Sequence, residues 1–191
     1  MKQRTAIARD AGFLTRAEDG NLYVEGYFSV YGSRYDLWDG AYETIEPGAF
    51  DGSLNDDIRA LTNHDTTLVL GRTKNGTLLL RTDDKGLWGS IIINQADQDA
   101  VNLYERVKRG DVSQCSFGFD ILDQEVEYQD GEPTVWRIKK VKLYEVSVVT
   151  FPAYTDTSVE ARKNELKTIQ RKKHELWKSE KLKKLKEIMS R

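Results

Sequence analysis

The sequence predicts a mainly β, α+β fold: a β-barrel with one or two helices, followed by a separate basic helix. Three observations carry this reading. Short apolar runs rich in β-branched and aromatic residues recur between Gly, Asn and Asp from about residue 21 to residue 151, a spacing that suits a meander or barrel and not βαβ units. One segment among them, NQADQDAVNLYERVKRG (94–110), has the apolar spacing of a helix. From Val159 onward the chain has no Gly or Pro and becomes strongly basic.

Taken in order, residues 1–12 read as a polar, flexible terminus, 13–158 as the folded domain and 159–191 as a helical tail. LYVEGYFSVYG (22–32) alternates as a strand does, and a polar loop with Gly32, Asp36 and Asp39 follows. YETIEPGAF (42–50) is a short strand stopped by Pro47 and Gly48. IRALTNH, TLVLGRT, GTLLLRT and GLWGSIII supply four more short strands. In the helix, Val101, Tyr104 and Val107 or Lys108 share a face, Asp97 and Asp99 favour the N-terminal end, and Arg106, Lys108 and Arg109 favour the other. Gly110 is its expected stop. VSQCSFGFDIL, EVEYQ, TVWRIKKV and LYEVSVVTF complete roughly nine strands, the last closed by Pro152.

Composition narrows the function classes. With 39% hydrophobic and 31% charged residues the chain reads as soluble and globular, and no apolar run is long enough to span a bilayer. MKQRTAIARD lacks the apolar core of a secretory signal. A single cysteine allows no internal disulfide and no CxxC site, so a reducing compartment is expected. The charge is divided unevenly: residues 159–191 carry a net +7 and residues 1–158 a net −9. The tail reads as an amphipathic basic helix, with Leu166, Ile169, Leu176, Trp177 and Ile188 on one face while Leu182, Leu185 and Met189 drift off it.

The chemical candidates are few. VSQCSFGF (112–119) holds Ser113, Cys115 and Ser116, three nucleophile types among hydrophobic neighbours. Alternation puts Cys115 and Ser116 on opposite faces of a strand, with Ser113 on the Cys115 side. Ser116 is either a hydroxyl satisfied in the ladder or a nucleophile; Cys115 is a small core residue or, as a minor option, a thiolate. His64, between Asn63 and Asp65, is a turn histidine or a general base, and His174 lies on a solvated face of the tail. Glu145 is the lone acid of a nearly apolar strand and needs a partner there. It is either salt-bridged or the orienting carboxylate of a triad. Three acid pairs (Asp56 with Asp57, Asp83 with Asp84, Asp97 with Asp99) lack metal-site spacing. The phosphate loops GxxxxGK[ST] and GxGxxG are absent, and the absence of GxSxG disfavours an α/β-hydrolase elbow.

EPGAF (46–50), NHD (63–65), SFGF (116–119) and EVSVVTFPAY (145–154), in this order and after YGSRYDLWDG (31–40), resemble the prohead serine proteases of tailed bacteriophages. The resemblance covers about residues 15–157. It implies the barrel fold of herpesvirus assemblins, a β-barrel flanked by helices. It also implies peptide-bond hydrolysis in the host cell cytoplasm, inside the immature capsid. The implied substrates are the scaffold protein, the scaffolding segment of the major capsid protein, and the protease itself. Ser116 matches the nucleophile and His64 the base; Glu145 is the best match for the third member, with Asp65 as the fallback. Assemblins use a second histidine there, which this domain lacks, so a carboxylate is required if a triad exists. The oxyanion would need backbone N–H donors or a cation, and the sequence identifies none; Arg109, Gly110 and Gly118 are only nearby in sequence. The resemblance implies no metal or organic cofactor. A homodimer is left open, and no membrane partner is expected. Two other classes compete: a catalytically inactive assembly or scaffold protein of the same fold, and a nucleic-acid-binding module acting through the tail, for which no base-reading motif is present.

Overall fold

Hydrogen bonding along the chain produces eleven strands and two long helices in the described residues. The structure, a computed structural model, describes residues 4–8, 12–151 and 156–189. The motif residues 152–154, and the side chains of Leu185, Ile188 and Met189, lie outside these. The chain separates into two compact units, Met1–Tyr154 and Thr155–Arg191.

In the first unit, β1 (Arg4–Ala8), β2 (Leu14–Glu18), β3 (Asn21–Val30), β4 (Tyr35–Trp38) and β5 (Ala41–Ile45) are followed by turns and then β6 (Arg59–Thr62) and β7 (Asp65–Arg72). A single 3-10 turn at Thr73–Asn75 leads to β8 (Leu78–Thr82), β9 (Gly86–Ile93), α1 (Gln98–Arg109), β10 (Gln114–Glu127) and β11 (Thr134–Val149). The fold is therefore mainly β with helices, as the sequence predicts. The strands do not close into one hydrogen-bonded barrel. They form a seven-stranded sheet, β1-β10-β11-β5-β4 with β6 and β7 joined through β11, and a four-stranded sheet, β2-β3-β9-β8. The outer edge of β10 is taken by β1, so β3 meets β10 through side chains instead of a ladder. The Cys115 thiol, 3.2 Å from the Tyr27 carbonyl oxygen and 3.3 Å from that of Phe28, marks this approach.

Three strands lie where the sequence suggests none. Arg4–Ala8, read as part of a flexible terminus, pairs antiparallel with Ala8 opposite Cys115 and Arg4 opposite Phe119. Leu14–Glu18 pairs with β3, and Tyr35–Trp38, inside the expected polar loop, pairs with β5. Each is four or five residues long and draws its order from a partner, not from its own pattern. Conversely, two pairs of expected strands are continuous: β10 runs 14 residues and β11 runs 16. The charges that interrupt the pattern, Lys139, Lys140 and Lys142, face solvent, and Lys139 meets Glu125 of β10 at 2.5 Å.

The two sheets share one core. Val24, Phe28, Leu80 and Ile91 of the smaller sheet join Cys115, Phe117, Phe119, Val146 and Val148 of the larger. Phe117 is the hub, with ring centroids 5.4 Å from Phe50 and 4.9 Å from Phe119. Helix α1 forms as its end residues dictate. Asp97 caps it by accepting the N–H groups of Asp99 and Ala100, and Gly110 ends it at φ 88°. Ala100, Leu103, Tyr104 and Val107 are its buried face.

The second unit is α2 (Asp156–Met189). Its side chains Leu176, Trp177 and Leu182 are exposed. Leu166 and Ile169 are half-buried, and the apolar spacing drifts around the axis over the 34 residues of the helix. His174 stacks on Trp177 on this exposed surface. Among the described residues no helix is long and apolar enough to cross a membrane.

Candidate active site

The long strand β11 gathers the candidate residues. Its first half pairs in parallel with β5, and its second half pairs in parallel with β6, setting Glu145 opposite Arg59 and Ser147 opposite Leu61. The turn after β6 is thereby delivered beside the end of β11, level with Val148 to Thr150, and the His64 side chain reaches back to Glu145. On its other side β11 pairs antiparallel with β10, with Ser116 opposite Ser147 and Gly118 opposite Glu145. Directly opposed residues project to the same face, so Ser116, Ser147 and Glu145 share one side of the sheet. Cys115, Phe117, Val146 and Val148 project to the core side.

A bulge makes this alternation possible. Between Gly118 and Phe119 the register shifts by one residue of β11, so that Phe119 opposes Leu143. Leu143 and Val146 both reach the core although they are three positions apart, an odd spacing. The extra residue re-aims Glu145 away from the core, a common use of bulges.

His64 comes from a two-residue hairpin turn. Thr62 pairs with Asp65, and the intervening Asn63 and His64 have φ of 51° and 60°, the left-handed pair that a type I′ turn requires. Asn tolerates this conformation; for histidine it costs roughly 1–2 kcal/mol. Three hydrogen bonds to the end of β11 offset the strain. The Asn63 N–H donates to the Val148 carbonyl at 3.0 Å, the Thr150 N–H to Asn63 Oδ1 at 2.9 Å, and the His64 N–H to Ser147 Oγ at 3.2 Å.

So held, the imidazole meets the lone acid of β11. Nδ1 of His64 is 2.8 Å from Oε1 of Glu145. An ionised carboxylate only accepts hydrogen bonds, so Nδ1 carries the proton and Nε2 is left as the basic nitrogen. Nε2 is enclosed and makes no hydrogen bond among the described residues. The Glu145 side chain is 8% exposed and that of His64 21%. The second carboxylate oxygen, Oε2, accepts the Ser147 hydroxyl at 2.5 Å.

The other candidates fall elsewhere. Asp65 is exposed, and its carboxylate takes the Thr67 hydroxyl at 2.6 Å and the Thr67 N–H at 2.8 Å, which hold its pKa below the ordinary value. Cys115 faces the core, across the sheet from His64. Ser113 precedes β10 and is exposed, so it does not share the Cys115 face as an unbroken strand would require. Arg109 is exposed and ion-paired with Asp111, and the Gly110 N–H is used in capping α1. A groove of about 560 Å³ lined by Arg59, Val69, Arg72, Thr77 and Ile92 includes none of Ser116, His64 or Glu145. Among the described residues no group of three or more His, Cys, Asp or Glu could hold a metal ion.

Two residues of the site are not apparent from sequence reasoning, Asn63 and Ser147. Each leaves a trace: Asn63 is the left-handed-tolerant first residue of a turn between two apolar runs, and Ser147 lies two positions from the lone acid, on its face.

The prohead protease of Enterobacteria phage HK97 is 29% identical over 145 residues, a span of 73% of this chain and 61% of that relative's length. The solved capsid assembly protease of bacteriophage T4 overlays 80% of this chain and 100% of its own, with 10% identity and a TM-score of 0.47. The caudovirus prohead serine protease family matches residues 11–172. With that match over most of its length, the chain belongs to the caudovirus prohead serine protease family.

Proposed function

We propose that this protein is a serine endopeptidase of phage capsid maturation. It acts in the host cell, inside the prohead, on scaffold protein and/or the scaffolding segment of the major capsid protein, and on itself. Family membership supports the activity. The single observation that carries the residue assignment is the Glu145–His64 pair at 2.8 Å on the sheet face that bears Ser116.

In this reading Ser116 Oγ adds to the scissile carbonyl carbon while its proton passes to Nε2 of His64. Glu145 holds the Nδ1–H and stabilises the imidazolium. The proton then goes to the leaving amine as the C–N bond breaks, and a water molecule repeats the sequence to free the new carboxyl end. Ser116 is 0% exposed, so its hydroxyl must become accessible before a substrate peptide can reach it.

The test is co-expression with the major capsid and scaffold proteins of the same phage, followed by mass spectrometry of new chain ends. Defined new ends with the wild type, absent with Ser116→Ala, are expected. Intact partners in both cases would instead identify an inactive assembly protein.

A further inference from the structure

We infer that Ser147 is a positioning residue that joins the imidazole-bearing turn to the orienting carboxylate; this rests on the proposed triad. Ser147 is 0% exposed and lies on the same face of β11 as Glu145. A serine hydroxyl has one proton to give and lone pairs to receive. Here the proton is given to Glu145 Oε2 at 2.5 Å, and a lone pair receives the His64 backbone N–H at 3.2 Å. One oxygen atom therefore touches both partners of the 2.8 Å contact between His64 and Glu145.

Each bond has a distinct consequence. The terminal torsion of a glutamate is broad and roughly two-fold, so the carboxylate needs an external anchor to keep Oε1 on Nδ1. Ser147 holds Oε2 and leaves Oε1 for the imidazole. The bond from the His64 N–H fixes the backbone of a residue held at φ 60°, a conformation that persists only when its surroundings enforce it. Ser147 does not meet the imidazole ring by any of these bonds. Its action on the chemistry passes through Glu145 and the His64 backbone.

The experiment uses the full chain and a peptide spanning a cleavage site mapped on the capsid or scaffold protein. Ser147→Ala is expected to lower kcat about 10- to 100-fold, the range found when outer partners of a site are removed, with KM within about twofold. In a Glu145→Gln background the same change is expected to add less than about twofold, because it acts through a group already lost. In the NMR spectrum the low-field Nδ1–H resonance of His64 should survive Ser116→Ala and be broadened or shifted in Ser147→Ala. Ser147→Cys keeps nearly the same volume with a weaker donor and is expected to change both readouts in the same direction, which covers an alanine variant that fails to fold. A full kcat in Ser147→Ala, an undiminished loss in the Glu145→Gln background, or an unchanged Nδ1–H resonance would overturn the inference. Cleavage that persists in Ser116→Ala would instead overturn the catalytic reading, and the resonance would still decide the role of Ser147.

Discussion

Nδ1 of His64 lies 2.8 Å from Oε1 of Glu145, although 81 residues separate them. The contact exists because β6 and the second half of β11 run parallel and in register, from Glu145 opposite Arg59 to Val148 opposite Thr62. The turn after β6 thereby sits beside the end of β11, and the His64 side chain reaches back to Glu145. The imidazole is held in one tautomer by a carboxylate that has few other places to go. Glu145→Gln is expected to preserve this backbone and reduce kcat by about three to four orders of magnitude, the cost of presenting the wrong tautomer in a triad. Single-turnover cleavage measures it; a loss below about tenfold would remove Glu145 from the orienting role.

Ser116 and His64 should behave as one unit. Ser116→Ala and His64→Ala are each expected to abolish processing, and the double variant to be scarcely worse than either. Cys115→Ala is expected to retain most activity, since the thiol points at the Tyr27 and Phe28 carbonyls on the core side. Peptide cleavage rates of the four variants provide the check. An active Ser116→Ala with a dead Cys115→Ala would reverse the assignment.

Gly86 is expected to be irreplaceable on packing grounds. A Cβ there would lie 2.0 Å from the Ser29 carbonyl oxygen and 3.0 Å from Val30 Cα, both backbone atoms of the paired strand. Gly86→Ala should therefore cost about 3 kcal/mol. Gly76, at φ 70° with nothing within 4 Å of its Cβ position, should cost only about 1 kcal/mol, from backbone strain alone. Urea unfolding of both variants tests the contrast; equal losses would contradict it.

Asp57 sets part of the acid dependence of stability. Its oxygens accept Arg72 Nε at 2.6 Å and Nη2 at 2.5 Å, and Arg59 adds further positive charge at 3.4 Å. Chiefly through the Arg72 hydrogen bonds, its pKa falls from 3.8 to about 2. A folded-state pKa below the unfolded one contributes stability above the unfolded value, and the contribution fades as pH falls through the folded value. Asp57→Asn is thus expected to lower the urea midpoint at pH 6, with the gap closing between about pH 4 and about pH 2. The site is exposed, so the gap should be small. A difference that persists undiminished at pH 2 would rule out this origin.

What could be read from the sequence follows from where each signal resides. Helix α1 was legible because Asp97 and Gly110 are local signals that act within one turn of themselves. Cys115 and Ser116 were separable to opposite faces because strand alternation is also local. The strands β1, β2 and β4 were not legible, since their order comes from partners distant in sequence. The expected barrel reduced to two sheets for the same reason: only pairing reveals that β1 occupies the edge of β10. Glu145 stood out as the one acid in an apolar strand. Ser147 did not, because a serine between valines reads as ordinary strand until its two hydrogen-bond partners are known.

The central claim is tested most directly by mapping the adduct of an active-site-directed fluorophosphonate. The protein is treated in the same co-expressed preparation that yields capsid or scaffold fragments, so that the opened form is present. The account predicts a single phosphonyl adduct on the peptide bearing Ser116, abolished in His64→Ala along with cleavage. An adduct on Ser147 or another residue, or fragments that continue to form in Ser116→Ala, would contradict it.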